Sequence, residues 1–262
     1  MDILKEISNI GIIPVIKIND ASKAVPLAKA LIDGGLAAAE VTFRTDAAEE
    51  AIRAISKAFP DMIVGAGTVL TIDQAQRALN AGAKFIVSPG FNPKVVKWCL
   101  EQGVTPLPGI NTPSEIEQAL ELGLKVVKFF PAEQSGGLAK IKAMSAPYGG
   151  VKFMPTGGIN TENVCEYLAS NKILACGGSF MVKESYIDNG NWDEITALTK
   201  KAVELMLGLE IAHIGINNEN EAEAKATAEA MALVMGKSIE RESAKGKRNG
   251  KHAAEKRCRR SV

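Results

Sequence analysis

The hydrophobic and polar positions of this chain follow a repeating order, in which short apolar segments alternate with longer amphipathic ones. The apolar segments recur about every 20 to 25 residues, at 11–18, 36–43, 62–67, 84–90, 104–110, 125–131, 151–158 and 173–179. Strands that alternate with helices are typical of βαβ units and a parallel sheet. Eight such units in about 200 residues favour an α/β fold of the (β/α)8 (TIM) barrel type. An open doubly wound sheet is the alternative, although no GxGxxG motif follows the first strand.

Residues that start and stop helices stand at the expected places between these segments. The expected N-caps are Asp20, Asp46, Thr71 and Thr112, and the expected stops are Gly34, Gly82, Gly103 and Gly123. Residues 192–208 form the eighth predicted helix, so the barrel is expected to span residues 1–208.

The repeating order changes after residue 208. Residues 209–216 predict one more strand, and Asn218 or Asn220 would cap an Ala-rich helix that runs to about Met235. The last segment, 236–262, is rich in Lys, Arg, Gly and Ser and is expected to be disordered. The chain is therefore predicted to carry a short βα appendage (209–235) and a basic tail (236–262) after the barrel.

Composition and charge give no support to a nucleic-acid-binding, membrane-bound or secreted protein. The net charge of +1 makes no case for nucleic acid or a membrane as a partner. This average hides a tail with 10 Lys/Arg against 3 Asp/Glu, which could bind something acidic but is expected to be only a solvated end. The N-terminus does not resemble a signal peptide, no apolar run approaches about 18 residues, and no CxxC pair occurs. A cytoplasmic protein with reduced thiols is expected.

The second predicted strand carries polar residues that a purely structural strand would not need. Ala38, Glu40, Thr42 and Arg44 share one face, since alternate residues of a strand point the same way. Barrel enzymes build their sites at the C-terminal ends of the strands, so this face would bring a carboxylate, a hydroxyl and a guanidinium to the barrel mouth. The alternative is a Glu40–Arg44 ion pair with only a structural role.

The sixth predicted strand places Lys128 in the middle of an apolar segment, on the same face as Val126 and Phe130. A buried ammonium is costly, so such a lysine is either paired or functional. Apolar surroundings disfavour the charged form of an amine and leave neutral amine to attack a carbonyl. A structural ion pair is the alternative, and Lys125 is expected to be solvated at the start of the strand.

The last two predicted strands end in paired glycines, within residues 155–158 and 176–179. Glycines allow backbone amides to approach a ligand closely, and the loops after strands 7 and 8 of barrels recurrently bind phosphate. Residues 65–68 and 88–90 add small loop starts and hydroxyl groups. His213 is the single histidine before the tail, and no HExxH motif or carboxylate cluster is present. Chemistry on a carbonyl without metal or cofactor is therefore favoured.

Several stretches together resemble one family, the 2-keto-3-deoxy-6-phosphogluconate (KDPG) aldolases, which include the bifunctional 4-hydroxy-2-oxoglutarate (KHG) aldolases. The matching stretches are residues 40–44 (EVTFR), 64–70 (VGAGTVL), 87–90 (VSPG), 128–133 (KFFPAE), 155–159 (PTGGI) and 177–179 (GGS). The resemblance implies a (β/α)8 barrel, a homotrimer and a class I (Schiff-base) aldolase without metal. It implies cleavage of KDPG to pyruvate and glyceraldehyde 3-phosphate, of KHG to pyruvate and glyoxylate, or of both.

The resemblance also implies a role for each matching residue. Lys128 matches the Schiff-base lysine and Glu40 the general acid/base. The substrate-binding residues would be Arg44 and Thr68 at the pyruvate carboxylate, Pro89 and Phe130 as pocket walls, Thr156 at a strand end, and Gly157, Gly158, Gly178 and Ser179 at the phosphate. Two other functions stay open: a metal-free phosphosugar isomerase or phosphate-binding synthase on the same barrel, and a non-catalytic barrel scaffold.

Residues 210–216 (EIAHIGI) resemble the first strand of a vicinal-oxygen-chelate (glyoxalase-like) module. Nothing after Met235 continues that module, so residues 209–235 are interpreted as a fragment of it. No metal-binding role is expected for His213.

Overall fold

The structure, a computed structural model, describes residues 2–208 and 220–235. Met1, the predicted strand at 209–216 and the basic tail at 236–262 lie outside the described residues. The chain divides into two units at Gly208, and each unit is described by itself.

Nine strands and ten α-helices make up the described part of the first unit. The strands are β1 (Ile12–Ile16), β2 (Ala38–Thr42), β3 (Ile63–Gly67), β4 (Phe85–Val87), β5 (Thr105–Leu107), β6 (Gly109–Ile110), β7 (Val126–Phe129), β8 (Lys152–Pro155) and β9 (Cys176–Gly178). The helices are α1 (Ile3–Ile10), α2 (Ala24–Asp33), α3 (Ala48–Ala58), α4 (Ile72–Asn80), α5 (Pro93–Glu101), α6 (Pro113–Glu121), α7 (Gly137–Ser145), α8 (Val164–Leu168), α9 (Glu184–Asp188) and α10 (Trp192–Leu207). Two 3₁₀ helices span Ala21–Lys23 and Glu133–Ser135.

All strand pairs are parallel, which confirms the predicted α/β class. One sheet has the order β5-β4-β3-β2-β1-β9 and the other has the order β6-β7-β8. The strands β5 and β6 both come from the single apolar segment predicted at 104–110, which is interrupted at Pro108. The carbonyl of Pro108 accepts a hydrogen bond from Lys128 N at 2.9 Å, and Thr156 forms an isolated parallel bridge with Gly177. The chain thus passes from one sheet to the other through Pro108, and the Thr156–Gly177 bridge joins the ends of β8 and β9.

The residues of the strands divide between two hydrophobic cores, as the alternation of their side chains predicts. One core contains residues of a single strand face, among them Ala38, Val126 and Met154, and it includes Ile7 of α1. The other core lies between the strands and the surrounding helices and contains Ala39 and Val41 of β2. The polar residues of β2 thus share the face of Ala38, away from the helices.

Most of the predicted helix ends are confirmed, with one correction. Thr71 caps α4 and accepts a hydrogen bond from Gln74 N, and Thr112 forms a capping box with Glu115. Asp46 was predicted to cap a helix, but α3 begins one residue later, with Ala47 at the N-cap and no side-chain hydrogen bond there. The helix α1 was not among the predicted elements.

The second unit contributes one described helix, α11 (Glu221–Met235). Asn220 Oδ1 accepts a hydrogen bond from Glu223 N at 3.0 Å, which confirms the second of the two predicted caps. Among the described residues, no helix is both long and apolar enough to cross a membrane. No disulfide bond is formed by Cys99, Cys165 or Cys176, and Cys258 lies outside the described residues.

Candidate active site

Glu40 lies in the middle of β2 and is completely buried, with 0% exposure. Its neighbours in register are Val15 of β1 and Gly65 of β3. The adjacent residues Ala39 and Val41 point to the helices, so the carboxylate points to the opposite, inner face. This placement confirms the face that the alternation of β2 predicted.

Lys128 lies in β7 and is 5% exposed, whereas Lys125 is exposed just before the strand begins. The neighbours of Lys128 in register are Gly109 of β6 and Met154 of β8. Val126 and Met154 belong to the inner core, and Lys128 shares their face. The amine therefore enters the same interior as the Glu40 carboxylate.

The two charged side chains meet directly. Lys128 Nζ donates a hydrogen bond to Glu40 Oε1 at 3.2 Å, across 88 residues of sequence. The predicted alternative, in which Glu40 pairs with Arg44, is wrong, because the partner of Glu40 is Lys128. A buried ion pair is weak evidence for stability, since desolvation of both charges opposes their attraction. The pair therefore points to chemistry that needs an amine beside a carboxylate.

The second oxygen of Glu40 remains available. Among the described residues, no hydrogen-bond partner lies within reach of Glu40 Oε2, although the atom is buried. A buried carboxylate oxygen without a donor is expensive, so such atoms are uncommon outside functional sites. Glu40 can therefore hold Lys128 with one oxygen and exchange a proton with a bound molecule through the other.

Arg44 follows β2 and is exposed at its C-terminal end. Its Nε donates to Thr42 Oγ1 at 3.1 Å, and Thr42 Oγ1 donates to the carbonyl of Ile16 at 2.8 Å. The positive charge of Arg44 also contributes to a lowered pKa of Glu184, for which the hydrogen bond from Lys17 is the main cause. The guanidinium is thus anchored at the strand end through Nε. Its two terminal nitrogens form no hydrogen bond with any residue in the described ranges.

Thr68 and Pro89 follow the ends of β3 and β4. Thr68 has a φ of 56°, the left-handed region, which is unusual for a β-branched residue. Backbone strain of this kind costs about 1–3 kcal/mol and clusters at functional sites. The carbonyl oxygen of Pro89 would lie 2.1 Å from a Cβ added at Gly109, the register neighbour of Lys128. Pro89 thus lies beside the strand position next to Lys128, and Thr68 directly follows Gly67, at which an added Cβ would lie 2.2 Å from Glu40 Oε1.

Phe130 directly follows β7, with its side chain 36% exposed. The centre of its ring lies 5.4 Å from Lys128 Nζ, within the range of a cation–π contact. The ring thus contacts the amine and is also partly exposed to solvent. This position suits a wall of an open pocket.

The predicted phosphate residues follow β8 and β9, which the Thr156–Gly177 bridge joins. Thr156 Oγ1 is buried and has no hydrogen-bond partner among the described residues. Gly157 and Gly158 have φ values of 100° and 80°, which favour glycine. Gly178 is buried and Ser179 is exposed. These two strand ends thus form one continuous edge. In the part of the chain that the structure describes, the Lys128 side chain forms no hydrogen bond with this edge.

Two glycines have roles that the sequence reasoning did not assign. A Cβ added at Gly67 would lie 2.2 Å from Glu40 Oε1, and one added at Gly177 would lie 2.4 Å from Thr156 Oγ1. Each glycine makes room for a functional side chain of the neighbouring strand. The signal was present, because a glycine inside a strand often marks a close approach.

Comparison with known proteins identifies the family. The family model described as the KDPG and KHG aldolase family matches residues 3–198. The chain belongs to this family. A 2-dehydro-3-deoxy-phosphogluconate aldolase of Treponema pallidum is 50% identical over 204 residues, which cover 78% of this chain and 97% of that protein.

Two solved structures from other KDPG aldolases support the same assignment. One is the enzyme of Legionella pneumophila with pyruvate captured at low pH as a covalent carbinolamine intermediate. It superposes with a TM-score of 0.75 and is 39% identical in sequence, and the match covers 77% of this chain and 98% of the Legionella chain. The enzyme of Zymomonas mobilis with 3-phosphoglycerate has a TM-score of 0.71 and 40% identity, and covers 76% of this chain and 94% of its own. The family resemblance of the sequence is thereby confirmed.

Proposed function

We propose that this KDPG and KHG aldolase family member is a class I aldolase in which Lys128 forms the Schiff base and Glu40 moves the protons. The observation that carries the proposal is the buried contact between Lys128 Nζ and Glu40 Oε1 at 3.2 Å. An amine held next to a carboxylate inside an apolar interior can lose its proton to that carboxylate. The neutral amine is then a nucleophile for a ketone carbonyl.

The proposed reaction begins when the neutral Lys128 amine adds to C2 of a 2-keto acid and gives a carbinolamine. Glu40 then returns the proton taken from Lys128 to the carbinolamine hydroxyl, which leaves as water. The resulting iminium withdraws electrons from the bond between C3 and C4. That bond breaks as Glu40, directly or through one water, takes the proton of the C4 hydroxyl. An aldehyde leaves, and the electron pair remains as an enamine. Protonation at C3 and hydrolysis then release pyruvate and restore the lysine.

The other proposed roles follow from the positions of the strand ends. Arg44 offers a planar guanidinium to the substrate carboxylate, with Thr68 beside the end of β3. Pro89 and Phe130 would line the pocket, and Thr156 would contact the substrate from the end of β8. Backbone groups at Gly157, Gly158 and Gly178, with the Ser179 hydroxyl, would receive the phosphate of KDPG.

Three broader features belong to the same proposal. The strands would close into a (β/α)8 barrel, supported by the hydrogen bond at Pro108 and the bridge at Thr156. KDPG would be cleaved to pyruvate and glyceraldehyde 3-phosphate, and KHG to pyruvate and glyoxylate. A cytoplasmic homotrimer without cofactor or metal is expected from the family resemblance, and no cluster of three or more potential metal ligands occurs among the described residues.

Reduction of the iminium tests the central step. Borohydride added with pyruvate should inactivate the protein and leave a stable adduct on Lys128, located by peptide mass spectrometry. Lys128→Arg should give no adduct and no turnover. Lys125→Arg is the matched control, because Lys125 is exposed at the start of the same strand, and it should still be labelled at Lys128. Active protein that is unmodified at Lys128 would exclude the mechanism, and this is also the result expected of an isomerase.

A further inference from the structure

The peptide between Gly157 and Gly158 has its orientation fixed by the segment that follows β7. The carbonyl of Gly157 accepts a hydrogen bond from Glu133 N at 3.1 Å, and the carbonyl of Thr156 accepts one from Ala132 N at 2.8 Å. In a trans peptide, C=O and N–H point in opposite directions. A carbonyl of Gly157 that is directed at Glu133 therefore directs the N–H of Gly158 away from it.

The side chain of Glu133 lies directly against this turn. A Cβ added at Gly158 would lie 2.6 Å from both Cβ and Cγ of Glu133. The side chain cannot change its rotamer without altering the space next to Gly158. Whatever holds the Glu133 carboxylate thus also holds the turn.

Tyr167 of α8 holds that carboxylate through a hydrogen bond from its hydroxyl to Glu133 Oε1. The phenol is only 2% exposed, and its hydroxyl reaches the loop from inside the core between strands and helices. Burial, and after it the hydrogen bond to Glu133, raises the pKa of Tyr167 above its ordinary value. The hydroxyl therefore remains a proton donor to Glu133 throughout the pH range of an enzyme assay.

The start of α8 fixes the next peptide of the turn. The carbonyl of Gly158 accepts a hydrogen bond from Asn163 Nδ2 at 3.0 Å. Asn163 is the N-cap residue of α8, and its own carbonyl accepts from Tyr167 N at 3.2 Å. The segment after β7 thus directs the peptide that follows Gly157, and the N-cap of α8 directs the peptide that follows Gly158.

We infer that Tyr167, acting through Glu133, is a positioning residue that adapts the Gly157–Gly158 turn to the phosphoryl group of the substrate. This inference rests on the proposed function, in which that turn receives the phosphate. Tyr167 itself touches no substrate. Its effect is to keep the backbone amides of the turn aimed at one place, which strengthens binding of an anion because less ordering is needed when the anion arrives.

A comparison of KDPG with KHG as substrates distinguishes this positioning role from a general structural role of Tyr167. KDPG carries its phosphate on C6, two carbons beyond the bond that breaks, whereas KHG ends in a carboxylate bound directly to C4. Only the longer substrate can reach a turn beyond the end of β8. A residue that positions this turn should therefore affect KDPG and leave KHG almost unchanged.

Tyr167→Phe tests the inference, with kcat and KM measured for both substrates on the full-length protein. The KM for KDPG should rise about fivefold to tenfold, which lies within the net contribution of one ordinary hydrogen bond. Its kcat, and both constants for KHG, should stay within about twofold, as expected for binding that does not change in the transition state. Tyr148→Phe is the matched control, because Tyr148 also donates to a glutamate, Glu117, at 2.9 Å. It should alter neither substrate.

Three further variants make the result decisive. Glu133→Gln retains an acceptor for Tyr167 and should keep a normal KM for KDPG, whereas Glu133→Ala should reproduce Tyr167→Phe. Equal changes for both substrates, or none for either, would overturn the role of Tyr167. Ser179→Ala reports on the phosphate subsite itself. If it leaves the KM for KDPG unchanged, the phosphate has been placed wrongly and the proposed function fails at that point, irrespective of Tyr167.

Discussion

The charged residues Glu40 and Lys128 could be identified from the sequence as functional candidates. The role of Gly67, which makes space for the Glu40 side chain, could not. Glu40 and Lys128 stand out because a charged group among apolar neighbours is costly unless it is paired or used. The role of Gly67 depends on the register of β3 against β2, where it lies opposite Thr42. Register is a property of two strands, so no local pattern in either segment reveals which glycine lies next to which side chain.

Gly67→Ala tests the importance of that space. The new Cβ would lie 2.2 Å from Glu40 Oε1, so the carboxylate must move away from Lys128. We expect kcat to fall by about 10²-fold, since a displacement of about 1 Å at a catalytic group has this effect. Overpacking should also lower the free energy of unfolding by about 1–3 kcal/mol. Steady-state kinetics and urea denaturation measure the two effects.

Gly149→Ala provides the control for that variant. A Cβ at Gly149 meets no atom within 4 Å, and the residue is exposed in the loop before β8. It should keep wild-type activity and stability. Normal turnover in Gly67→Ala would mean that Glu40 tolerates displacement, which is incompatible with its proposed role in proton transfer.

At the scale of single elements, the boundaries were predictable where a side chain binds the helix end. Thr71 and Thr112 carry the hydroxyl that a helix start requires, and the structure places both at N-caps. Asp46 has a side chain that could cap a helix, but it lies one residue before the N-cap position. That position is occupied by Ala47, and α3 therefore starts without a side-chain cap. The division of the fifth strand at Pro108 was also not predicted, although proline has no N–H to continue a ladder.

The capping box of α6 gives a prediction at this scale. Glu115 Oε2 accepts hydrogen bonds from Asn111 N at 2.7 Å, from Thr112 N at 2.9 Å and from Thr112 Oγ1 at 2.9 Å. Glu115→Ala removes all three acceptor contacts and should lower the free energy of unfolding by about 1–2 kcal/mol. Glu121→Ala, at the exposed C-terminal end of the same helix, should cause no loss. Equal stabilities of the two variants in urea would show that the box is not needed.

At the scale of the whole molecule, the sequence predicted a catalytic body that ends near residue 208, and the structure divides the chain there. The change was visible because the repeating order of apolar segments stops, and because the charge of the last segment differs from that of the body. The assignment of 209–235 to a glyoxalase-like fragment stays a prediction. The structure describes only α11 of that segment, and a single helix does not specify a fold.

Removal of residues 209–262 tests whether the body is sufficient for activity. The proposed catalytic and substrate-binding residues all lie at or before Ser179, and the family model matches only residues 3–198. The helix α10 ends at Gly208, whose φ of 59° stops a helix. We therefore expect the truncated protein to keep kcat/KM within about twofold and to unfold in one cooperative transition.

A second truncated protein, which ends at Asn191, tests how much of the body is needed for folding. It also removes α10, whose residues Ile195, Thr199 and Ala202 are buried. Gly34 at the end of α2 lies so close to Thr199 that a Cβ there would be 2.5 Å from Thr199 Cβ. Loss of this contact exposes the apolar surface of α2, so the protein should unfold or aggregate. A protein that ends at Gly208, folds and yet has no aldolase activity would show that the C-terminal segment takes part in the reaction.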